Sequence, residues 1–131
     1  MYKRQVLVST VPRKVQRTPI EGYVFVDWGQ RFRKAHINAY PDNPSHQITV
    51  TMSSVALEHI LEQGGSAYLL HGEVKNLIED GTLHLVEGAQ KFALSTYVAY
   101  FRDSSESEAV RLALEGLKQV RKMYHKNQNQ K

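Results

Sequence analysis

Two kinds of side chain lie close together in the first third of this sequence, and their mixture suits a polyanion. Cations occur at Arg13, Lys14, Arg17, Arg31, Arg33 and Lys34, and rings at Tyr23, Phe25, Trp28, Phe32 and Tyr40, with His36 among them. Flat rings stack on bases while cations track a phosphate backbone, and stacking contributes roughly 1–3 kcal/mol per base. The pattern predicts a surface for single-stranded DNA or RNA, bound with low sequence specificity. The charge distribution agrees, because residues 1–34 sum to +6, residues 35–117 to −7 and residues 118–131 to +5. Basic ends around an acidic middle suggest a polyanion footprint built from the ends.

Other chemistries find less support. The chain has no G-x-S-x-G elbow, no glycine-rich phosphate loop and no cysteine, so neither an enzyme nor a cofactor is expected. Six histidines (His36, His46, His59, His71, His84 and His125) fall on separate predicted elements without the H-x-x-x-H spacing of a metal site, which predicts no metal. Glu73 and Glu87 read as ordinary exposed carboxylates. At 131 residues with 41% apolar content, the chain fits one globular domain. No apolar run reaches the 18 or more residues of a membrane span, and no signal segment is evident, which predicts a cytoplasmic protein without a membrane partner.

The elements that would position the rings and cations come from periodicity. Residues 6–11 and 20–28 read as strands, the second with Val24 and Val26 on one face and Tyr23 and Phe25 on the other. Such a strand is either buried on both faces or offers its aromatics to a ligand. Residues 33–40 alternate, which places Ala35, Ile37 and Ala39 inward and Lys34, His36, Asn38 and Tyr40 outward. Residues 47–52 alternate again, with Thr49 and Thr51 beside that outward row. Ser54 is a plausible N-cap for a helix over 54–63, closed by Gly64-Gly65. Residues 66–90 read as a long β-hairpin turning at Asp80-Gly81, and a further strand falls within 91–102. A capping box at Ser105 and Glu108 opens a C-terminal amphipathic helix over 103–125, expected to pack on the domain, with 126–131 a disordered tail. Its stripe of Val110, Ala113, Leu114, Leu117, Val120 and Tyr124 could instead join two copies as a homo-oligomer.

Three strands, a helix and a closing hairpin resemble the OB-fold superfamily, in particular its nucleic-acid-binding members, over residues 20–90. The stretch LLHGEVKN…DGTLHLVEGAQKF looks like the fourth and fifth strands of such domains, with Gly72 at the point of curvature. The resemblance implies a mainly β, OB-like barrel over 6–102 that binds single-stranded nucleic acid. Two other functions compete. One is an assembly subunit of a phage or mobile-element complex. The other follows from the R-x-x-x-R of residues 13–17, which resembles PilZ domains and would imply cyclic-dinucleotide binding. The second PilZ motif, D/N-x-S-x-x-G, is absent, and Asn38-Ala39-Tyr40 lacks its serine and glycine. Met1 to Gln5 resemble the translated end of a transposase sequencing adapter, of the kind that opens metagenomic reading frames, so residues 1–5 are expected to be non-native.

Overall fold

Alternation decides the centre of the sheet. In β1 (Tyr2–Ser9), Val6 and Val8 lie on one face, and Gln5, Leu7 and Ser9 on the other. The structure is a computed structural model that describes residues 2–15, 22–42, 48–102 and 107–128. It divides into two compact units, Tyr2–Ser95 and Thr96–Lys131. The first holds β2 (Tyr23–Val26), α1 (Gln30–Ala39), β3 (Ile48–Val50), α2 (Ser53–Gln63), β4 (Ser66–Leu70), α3 (His71–Glu79), β5 (His84–Leu85) and β6 (Phe92–Ser95). The second holds α4 (Glu108–Gln128).

The strands form one mixed sheet in the order β3-β2-β4-β1-β5, with β6 also pairing β1. β2 runs parallel to β3 and β4, and β1 runs antiparallel to β4, β5 and β6. Both faces of the sheet are covered. Val6, Val8, Val24, Val26, Ala67 and Leu69 pack against Ala56 and Ile60 of α2 and Val74 of α3. On the opposite face Leu7, Phe25 and Tyr68 pack against Phe32 of α1, together with Val86 and Phe92. Gln5 also faces this side; it is 1% exposed, and among the described residues its Nε2 has no hydrogen-bond partner. Where β2 and β4 begin, two backbones touch: a Cβ on Gly65 would sit 2.2 Å from the Gly22 carbonyl oxygen, and Gly65 has φ +133°.

The expected OB-like barrel is therefore corrected to an α/β sheet covered by helices. Two segments account for the difference. Residues 33–40 are not a strand but most of α1, because Phe32, Ala35, His36 and Ala39 recur at helical spacing and face the sheet. Ile37, which a strand would have turned inward, is 63% exposed. The predicted hairpin over 66–90 begins as the strand β4 and then becomes α3. Val74, Leu77 and Ile78 supply an i, i+3, i+4 stripe that packs on the sheet. Asp80-Gly81 is not a hairpin turn but the end of this helix. Gly81 takes φ +82° and its N–H donates to the Ile78 carbonyl. The helix over 53–63 starts from Met52 rather than from a Ser54 cap. Arg17, Ile20, residues 43–47, the cap residue Ser105 and residues 129–131 of the expected tail lie outside the described residues, whereas residues 126–128, expected in that tail, belong to α4.

Candidate ligand crevice at the carboxyl edge of the sheet

Each parallel strand is followed at once by a helix, so three helix N-termini gather at one edge of the sheet. β2 leads through Asp27-Trp28-Gly29 into α1, β3 through Thr51-Met52 into α2, and β4 directly into α3. α1 covers one face, whereas α2 and α3 cover the other. Because β2 lies between β3 and β4, the chain leaving it turns one way and its two neighbours turn the opposite way. Such a reversal opens a crevice outside the carboxyl ends of the strands, the place where open α/β sheets bind ligands.

The β2 end of this crevice is tightly specified. The Asp27 N–H donates to the Val50 carbonyl at 2.8 Å, which prolongs the β2–β3 pairing by one residue. Asp27 Oδ1 accepts from the Gly29 N–H at 2.9 Å, and Oδ2 pairs with the Arg33 guanidinium. Gly29 has φ +96° with open space where a Cβ would project, so its requirement is torsional. Trp28 Nε1 donates to the Tyr68 carbonyl at 3.0 Å, which ties the junction to the central strand.

The charges at this edge are mixed, with Asp27 and Glu73 acidic and Arg31 and Arg33 basic. None of the three helices has a side-chain cap on its first turn, and α1 and α2 carry no acid there. α1 opens with Arg31 and Arg33; Arg33 is paired with Asp27, and Arg31 opposes the helix dipole by about 0.3–1 kcal/mol. At the start of α3, burial holds the His71 pKa below its ordinary value. The cations Arg4, Lys75 and Lys91 act the same way, and Glu79 opposes them.

Behind the crevice, under α1, lies a cluster of rings. Phe32, His36 and Tyr40 stack up one side of the helix at four-residue spacing. Among the described residues six rings neighbour that of His36, with Tyr40 and Phe25 at 5.3 Å and Tyr23 stacked at 5.9 Å. Tyr23 Oη and His36 Nε2 are 2.9 Å apart. Three groups form a closed circuit. The Gln90 N–H donates to Tyr40 Oη at 3.1 Å, and Tyr68 Oη donates to the Gln90 carbonyl at 2.8 Å. Tyr40 Oη, 2.6 Å from Tyr68 Oη, is then left to donate to it. Burial pushes the Tyr68 phenol far above its ordinary pKa, with the hydrogen bond to Tyr40 adding to it, and burial does the same for Tyr23. Both hydroxyls keep their protons.

The predicted binding residues thus divide. Phe25, Phe32 and His36 are buried, Tyr23 and Tyr40 are half-buried with their hydroxyls engaged, and Trp28 is half-buried at the crevice. Lys34, Arg31 and Arg33 are exposed on α1. Arg13 and Lys14 lie away from this edge, on a groove of about 430 Å³ also lined by Pro12, Ile78, Leu83, His84, Leu85 and Glu87. Lys14 is tied there to Glu87 at 3.4 Å. Rings and cations therefore do not converge on one open surface. Alternation gives no sign of the junction groups at this edge, Gly29, Met52, Ser53, Ser54 and Gly72. Among the described residues no cluster of three or more His, Asp or Glu could hold a metal, and no helix is long and apolar enough to cross a membrane.

No family model and no curated protein matches the sequence. Solved structures do. The bromide-bound regulatory domain of HypT from Salmonella typhimurium aligns with TM-score 0.64 and 14% identity, over 92% of this chain and 63% of that one. The fold of this chain is similar to part of that domain. Full-length HypT, a hypochlorite-specific LysR-type transcriptional regulator from the same organism, aligns with TM-score 0.61 and 16% identity over 92% of this chain and 45% of that one. The crystal structure of another LysR family transcriptional regulator gives TM-score 0.52 and 14% identity, over 71% of this chain and 34% of that one. The chain spans less than two thirds of each of these structures. These likenesses overturn the OB-fold resemblance and, with it, the expected single-stranded nucleic-acid surface. The assembly-subunit and PilZ alternatives gain no support from them.

Proposed function

We propose that the chain is part of the effector-sensing domain of a LysR-type transcriptional regulator, and that the Tyr2–Ser95 unit supplies one wall of a site for a small anionic molecule. The observation that carries this reading is the meeting of three helix N-termini without side-chain caps at the strand-order reversal beside β2. Arg31 reinforces it, since a bound anion would relieve its conflict with the α1 dipole. The bromide in one of the similar domains is consistent with a site of this sign. In this reading the chain binds and does no chemistry. Any double-stranded DNA contact belongs to the regulator as a whole.

Amide chemical shifts during titration with sodium bromide and with sodium benzoate, at ionic strength held constant with sodium fluoride, test the site. Saturable shifts are expected at Gly29, Arg31, Ser53, Ser54 and Gly72, and Arg31→Gln should weaken them. Trp28, the single tryptophan, should report benzoate binding by a saturable emission shift. Shifts that never saturate, or that centre on Arg13 and His84, would overturn the assignment.

A further inference from the structure

β5 ends the sheet on the β1 side, and its outer edge is only partly used. The register decides which groups face outward. Leu85 lies opposite Val8, and the Val86 N–H donates to the Leu7 carbonyl at 3.0 Å. Leu85 therefore holds a position whose own N–H and C=O point away from β1. Two residues further on, the outward groups of Glu87 are matched by a parallel bridge to Lys14. The Glu87 N–H donates to the Arg13 carbonyl at 2.9 Å, and the Glu87 carbonyl accepts from the Val15 N–H at 2.8 Å. Toward Pro12 the two segments part, and among the described residues Leu85 has neither bond on this side.

The groove of about 430 Å³ beside Arg13 occupies this parting. Its floor is apolar, with Leu83 buried, Ile78 half-buried and Leu85 44% exposed. In its wall Arg13 Nε is buried and, among the described residues, has no hydrogen-bond partner. A guanidinium N–H kept from water without an acceptor costs free energy that a carboxylate would restore. Lys14 adds a second cation, and its pair with Glu87 lies in open solvent, where such contacts hold weakly.

We propose that this groove binds an extended acidic segment of a partner protein. The segment's main chain pairs with Leu85, an aliphatic side chain lies on Leu83 and Ile78, and a carboxylate meets Arg13. The groups on offer select this occupant. A simple anion would satisfy Arg13 but has no donor for the Leu85 carbonyl, whereas an added strand supplies donor, acceptor and side chains together. Its aliphatic and acidic residues stand two apart, because alternate residues of a strand share a face. A second copy of this chain fits less well. A two-fold pairing across this edge would bring Arg13 and Lys14 of both copies together, and like charges repel.

This inference goes beyond the proposed function and concerns another edge and another ligand, so either can fail without the other. Amide chemical shifts of the 131-residue chain, titrated with two capped pentapeptides, test it. One peptide is alanine-leucine-alanine-glutamate-alanine, and the other has glutamine in place of glutamate. The acidic peptide should give saturable shifts at Arg13, His84 and Leu85 and slow hydrogen exchange at the Leu85 amide. The glutamine peptide should bind roughly tenfold more weakly, as expected for loss of a charged hydrogen bond. In Arg13→Gln the two peptides should bind alike. Should that variant fail to fold, the peptide pair on the unaltered chain still decides. Equal affinity of the two peptides there would overturn the proposal, as would shifts centred on Gly29 and Ser53 or no saturable shift. Sodium acetate saturating the same amides as tightly would show an anion site without peptide recognition, with the same consequence. Dimerisation of the free chain that protects Leu85 would assign the edge to a second copy and also overturn it.

Discussion

The two faces of the sheet solve the same packing problem with different materials. On the α2 and α3 side the core is aliphatic, from Val6, Val8, Val24, Val26, Ile60, Leu69, Val74 and Leu83. On the α1 side it is aromatic, and its polar tips are matched in specific pairs, Tyr23 with His36 and Tyr40 with Tyr68 and Gln90. Aliphatic packing rewards volume and tolerates small rearrangements, whereas a buried polar tip fixes direction because an unmatched partner is costly. The aromatic face is also the one that anchors Trp28 beside the crevice.

Substitutions on the two faces can break or sharpen this contrast. Phe32→Ala removes a ring that touches Phe25, His36, Tyr68 and Phe92, and should destabilise the unit by about 3–5 kcal/mol in chemical denaturation. Tyr68→Phe keeps the volume but strands the Gln90 carbonyl and the Tyr40 hydroxyl, which should cost about 1–3 kcal/mol. On the aliphatic face Ile60→Val should cost about 0.5–1.5 kcal/mol. If it proves worse than Tyr68→Phe, volume rather than matched polar tips dominates both faces. Gln5→Met tests the unmatched case. It removes a buried amide donor without a partner and should raise stability by about 1 kcal/mol, read as a higher melting temperature.

The smallest effect expected is electrostatic. His71 has a depressed pKa when folded, so the folded state takes up its proton less readily than the unfolded chain. The stability this group contributes is fully present above its unfolded value, near pH 6.5, and is lost as pH falls through the folded value. His71→Gln should flatten the fall in melting temperature below about pH 6.5. An unchanged slope would show that other groups control it.

The sequence is legible where period and tertiary role coincide. The stripe Ala56, Leu57 and Ile60 announces α2, Gly64-Gly65 announces its end, and Tyr23 to Val26 show a strand with two apolar faces, which the structure buries on both. It misleads where two periods fit at once. Ala35, Ile37 and Ala39 alternate as in a strand, while Phe32, Ala35, His36 and Ala39 fit a helix, and only the exposure of Ile37 separates them. Asp80-Gly81 is ambiguous for a stereochemical reason, since a hairpin turn and a helix end both call for a residue with positive φ. The crevice was hidden for a different reason. Its main groups are backbone N–H donors at strand–helix junctions, which no residue type advertises, and circuits such as Tyr40, Tyr68 and Gln90 join positions far apart in the chain.

The contact between Gly22 and Gly65 has a consequence for variation. Crowding between side chains can be relieved by trimming a neighbour, so a second mutation elsewhere often rescues the first. Here backbone meets backbone, and nothing remains to trim. A genetic screen for suppressors of a Gly65→Ala defect should return revertants at codon 65 and little else.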